Sequence, residues 1–149
     1  MHPRFTLDSA RRMLPQVRAW LGDAMRARQE LEGIRRALDA FSAKAQMMMG
    51  GITLDAMAVD RWQAGVRQAS ALLQEALGRL GGAGVQVKDL ETGLVDFPTM
   101  YRGREVLLCW KWGEPDIAWW HETDGGFRGR KPLDEDFQLH HGDGGTPEA

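Results

Sequence analysis

Between Gly81 and Gly84, a run of small residues (Gly-Gly-Ala-Gly), the hydrophobic period of this chain changes, and the change constrains the fold more than any single motif. Upstream, apolar residues recur at steps of mostly three and four: Ala10, Met13, Leu14, Val17, Leu21, Ala24, Leu31, Ile34, Leu38, Phe41 and Ala45. A second stripe of the same kind follows: Leu54, Met57, Ala58, Trp62, Val66, Ala69, Leu72, Leu73, Ala76, Leu77 and Leu80. Each is one face of an α-helix. Downstream, the β-type runs 94–101, 104–112 and 117–122 are short and separated by turn residues. The order predicts an α+β chain: a long antiparallel helical hairpin over 6–81, then a small three-stranded antiparallel β-meander over 94–122.

Local signals place the ends. Thr6 is a good N-cap with Asp8 in the first turn, and Thr53 with Asp55 repeats the pattern for the second helix. Met47-Met48-Met49-Gly50-Gly51 closes the first helix, and so short a connection makes the helices antiparallel neighbours. Pro15 lies inside the first stripe and predicts a kink or local break. Arg102-Gly103 reads as a two-residue turn, pairing Tyr101 with Arg104 and setting Asp96 opposite Cys109. Gly113-Glu114-Pro115-Asp116, read as a four-residue turn, sets Cys109 opposite Trp120. Alternation then puts Val95, Phe97, Val106, Leu108, Trp110, Trp119 and His121 on a core face. Leu94, Asp96, Leu107, Cys109, Lys111, Trp120 and Glu122 fall on the other. That second face is either a ligand or partner surface or a face covered by other parts of the chain.

Length and charge bound the rest. The 149 residues suit one domain, taken as 1–133, with 134–149 as a flexible tail poor in apolar residues. A net charge of −2 gives no electrostatic case for nucleic acid or an acidic membrane surface. The lone Cys109 excludes an intrachain disulfide and a zinc site built on several thiolates. Neither a signal peptide nor a membrane span is expected, so the expected location is the cytoplasm.

The run Gly84-Val85-Gln86-Val87-Lys88-Asp89-Leu90-Glu91-Thr92-Gly93-Leu94-Val95-Asp96-Phe97-Pro98 resembles a prokaryotic family, domain of unknown function 2203 (DUF2203). Gly103-Arg104-Glu105-Val106, Leu108-Cys109-Trp110, Trp120-His121-Glu122, Gly126-Phe127 and Pro132-Leu133 add to the likeness, as do Phe5-Thr6-Leu7 and Leu14-Pro15. The resemblance implies a small prokaryotic cytoplasmic protein and carries no activity with it.

Candidate chemistry concentrates near the end of the third strand. Asp96, His121, Glu122 and Asp124 supply nitrogen and oxygen donors for a divalent metal. Adjacent strand residues face opposite ways, so His121 and Glu122 share an ion only if the strand bends or ends there. Otherwise His121 is a hydrogen-bonded core residue and Glu122 pairs with an arginine. Cys109 is a nucleophile if it meets His121, but the expected register puts them on opposite faces, favouring a buried structural cysteine. Arg128 and Arg130, in the glycine-rich segment 125–131, join Cys109 and Trp120 as a candidate ligand or partner surface. A helix of about 40 residues spans ~60 Å, longer than a small domain is wide. A homodimer burying the excess apolar stripe in a four-helix bundle is therefore expected, unless a kink at Pro15 lets the helix fold back over the sheet. Two functional classes follow: a non-enzymatic homo-oligomeric binding or scaffold protein, and a metal-binding protein or metal-dependent hydrolase.

Overall fold

Thr6 starts the first helix as its sequence position predicts. Its hydroxyl accepts the Ser9 amide at 3.1 Å, and Ser9 Oγ accepts the Thr6 amide at 2.9 Å. From there α1 runs Leu7–Met47 and continues through Pro15 as helix. The computed structural model describes residues 4–47 and 56–142. The expected stop at Gly50-Gly51 and the expected start at Thr53 and Asp55 lie outside those residues. The second helix, α2, is described from Ala56 to Gly82. It is antiparallel to α1: Trp20 and Asp23 lie beside Ala76 and Arg79, whereas Leu38 and Phe41 lie beside Trp62 and Val59.

Five strands follow rather than three: β1 Gln86–Asp89, β2 Leu94–Tyr101, β3 Arg104–Lys111, β4 Trp119–Glu122 and β5 Lys131–Pro132. They form one antiparallel meander in sequence order. The two added strands are edge strands, short and partly exposed, with a register shift in β1 and a proline in β5. Such strands leave almost no periodic signal. Arg102-Gly103 makes the expected tight turn. Both residues have positive φ, and Tyr101 pairs with Arg104 and Asp96 with Cys109.

The register between β3 and β4 differs from expectation by one residue. Cys109 pairs with Trp119, and Trp120 pairs with Leu108. The connection is not a four-residue turn: β3 ends at Lys111 and β4 begins at Trp119. A slip of one residue exchanges the two faces of a strand. Trp120 therefore joins Val95, Phe97, Val106, Leu108 and Trp110, which pack on Ala10, Leu14, Val17 and Leu21 of α1. His121 moves to the opposite face, with Asp96 and Cys109.

The region expected to be a flexible tail is part of the fold as far as Gly142. Asp134 Oδ1 accepts the Phe137 amide at 2.8 Å and caps α3, Glu135–His140. Phe137 is fully buried and stacks on Trp120. Asp136 bonds Tyr101 Oη and Arg102, and His141 Nε2 accepts the Leu7 amide at 2.9 Å. A single aromatic on a short polar helix overrides the composition that suggests a mobile end. Residues 143–149 of the expected tail lie outside the described residues.

Candidate functional site

Three side chains meet on the face of the sheet turned away from α1. Asp96 comes from β2, Cys109 from β3 and His121 from β4, each near the middle or end of its strand. They are 1%, 0% and 2% exposed, and their ligand-type atoms lie within 4.8 Å of one another. Among the described residues this is the one such group of metal-ligand side chains.

Both nitrogens of His121 face acceptors. Nε2–H donates to Asp96 Oδ2 at 3.0 Å, and Nδ1–H donates to the Glu122 carbonyl at 2.6 Å. Filling both bonds requires the imidazolium. The hydrogen bond to Asp96, with Cys109 adding to it, outweighs the cost of burial and raises the His121 pKa to about 10. The other Asp96 oxygen, Oδ1, is buried without a hydrogen-bond partner among the described residues.

The segment 125–130 covers this face. Gly125 lies against His121: a Cβ there would be 3.6 Å from the His121 Cβ. Arg130 reaches across the strands, donating from Nε to Cys109 Sγ at 3.3 Å and forming an ion pair with Glu114. Burial pushes the Glu114 carboxyl up, but the hydrogen bonds from Arg130 and the Lys111 amide outweigh it and hold the pKa below the ordinary range. The guanidinium also stacks over Phe127 and Trp119.

The residues expected at a metal site therefore divide. Asp96 and His121 meet, whereas Glu122 is bound by Arg104 at 2.8 Å and Lys131 at 3.5 Å, and Asp124 is exposed in the turn after β4. Of the expected partner surface, Cys109 and Trp120 are buried and Arg130 is engaged with Glu114, leaving Arg128 exposed. The sequence pattern does not single out Glu114, and the Cys109–His121 proximity, disfavoured by the expected register, is present. Both depend on the path of residues 112–118, which alternation alone does not specify.

A second feature lies at the far end of the hairpin. Buried residues of α1 stop at Ala27, and those of α2 begin at Ala69. Beyond them Leu38, Phe41, Val59, Trp62 and Val66 line an apolar groove of about 530 Å³. No helix among the described residues is long and apolar enough to cross a membrane.

The model of a family described as an uncharacterized conserved protein, DUF2203, matches residues 4–133. No curated protein and no solved structure matches the chain significantly.

Proposed function

The chain belongs to the DUF2203 family, whose description carries no activity, and we propose that it acts without catalysis, as a homodimeric binding scaffold of the bacterial cytoplasm. The carrying observation is the apolar half of the hairpin, which no other element among the described residues covers. Two helices extending past their sheet bury little: Leu38 and Val66 remain 37% and 38% exposed, and Met57 69%. Phe41 and Trp62 touch edge-on across the helix pair. A second hairpin on this face completes a four-helix bundle around those rings.

The occupant we favour is a second copy because the flanking charges are mixed. Arg28, Glu32, Arg35, Arg36 and Asp39 on α1, with Asp60, Arg61 and Arg67 on α2, include both signs. A twofold arrangement lets such a surface meet its own complement. A metal-dependent hydrolase has less support, since Asp96 and His121 are buried and Glu122 and Asp124 lie elsewhere.

The test combines Leu38→Glu and Val66→Glu with light scattering on a sizing column. The double variant is expected to run as a monomer with unchanged far-ultraviolet circular dichroism. A variant that keeps the wild-type mass removes this face from the dimer.

A further inference from the structure

We propose that Cys109 Sγ, His121 Nε2 and the Asp96 carboxylate form a buried structural site for one divalent transition ion of the zinc class. This assignment is independent of the dimer, and its ligand set differs from any readable in the sequence, because it includes the thiol and leaves out Glu122 and Asp124.

Four observations carry it. The donors are sulfur, imidazole nitrogen and carboxylate oxygen, the mixture that zinc-class ions prefer over magnesium or calcium. Their ligand-type atoms lie within 4.8 Å of one another on three adjacent strands. Tetrahedral bonds of ~2.0–2.3 Å ask for separations of roughly 3.5 Å, within reach of small side-chain rotations. The outer contacts are those a metal site needs. The Glu122 carbonyl holds the proton on Nδ1, so Nε2 is the nitrogen left to coordinate, and the Arg130 N–H donates to the sulfur. Finally, Asp96 Oδ1 is buried without a partner among the described residues, a condition that a cation bound to the carboxylate relieves.

The charge balances. With no ion, His121 carries two ring protons against the Asp96 carboxylate, and Cys109 carries its thiol proton. A divalent ion displaces two protons, one from Nε2 and one from Sγ, and both leave to solvent. The cluster is neutral before and after, so ion binding adds no uncompensated charge to the interior. The neighbouring Arg130–Glu114 pair is neutral throughout.

The experiment is titration of the tag-free full chain with Co²⁺, followed by absorption spectroscopy, and then with Zn²⁺, followed by native mass spectrometry. We expect one ion per chain, a thiolate-to-cobalt charge-transfer band, and a higher melting temperature with Zn²⁺. Cys109→Ser is expected to abolish the band and weaken Zn²⁺ binding at least about tenfold, while His140→Ala leaves both unchanged. The wild-type band alone reports sulfur ligation, so the test survives if a variant fails to fold. Folded wild-type protein that takes up no ion overturns the assignment. So does an ion bound without a thiolate band, or one lost in His140→Ala.

Discussion

His121 sits between two acceptors, the Asp96 carboxylate and the Glu122 carbonyl. Its pKa is raised in the folded state, to about 10 from an ordinary 6.5, chiefly by the hydrogen bond to Asp96. A group raised in this way stabilises the fold fully below its unfolded value and loses that contribution as pH climbs through the folded one. Urea denaturation of chelator-treated protein is therefore expected to show stability falling between about pH 6.5 and 10. Asp96→Asn should flatten that slope. It should also cost roughly 3 kcal/mol or more at neutral pH, because it breaks a buried pair from one side. A slope equal to that of wild type in Asp96→Asn would detach the effect from this pair. Sequence placed Asp96 and His121 in one candidate site but added Glu122 and Asp124 and set Cys109 apart. Donor chemistry is legible from residue types, whereas the face a strand residue occupies depends on a register that spacing did not fix.

At the scale of elements, the long helices and the Arg102-Gly103 hairpin were legible because each rests on a sustained period or a specific turn. The connection after β3 was not, since residues 112–118 are held by tertiary contacts. The Trp112 amide donates to the Gly93 carbonyl at 2.9 Å, and Glu114 ties to Arg130 and to the Lys111 amide. Gly93 is required where these meet: its φ is +78°, and a Cβ there would lie 2.5 Å from the Trp112 Cβ. Gly93→Ala is expected to lower unfolding free energy by more than about 2 kcal/mol in a denaturant titration; a change below half that would mean the turn relaxes. The short α3 was hidden by its polar composition. Phe137→Ala removes the ring stacked on Trp120 and should cost about 3–5 kcal/mol. Hydrogen exchange should then become fast in 134–142 while β2 and β3 stay protected, and uniform exchange across the sheet would contradict a local role for α3.

At the scale of the whole molecule, the two ends of the hairpin face opposite physical situations. Near the sheet, Leu14, Val17 and Leu21 are closed in by β-strand side chains. Past Ala27 α1 has no buried residue, and among the described residues the stripe lies beside α2. The order of helical and strand segments made the α+β architecture readable, and helix length alone pointed to excess apolar surface. What that surface meets is not written in one chain's periodicity, because a stripe buried by a second copy and one bound by another protein look alike. The most direct test is the solution mass of the full-length chain by sedimentation equilibrium over a dilution series. The expected result is a species of twice the 16.7 kDa chain mass that resists dilution. A single species at 16.7 kDa throughout would contradict it.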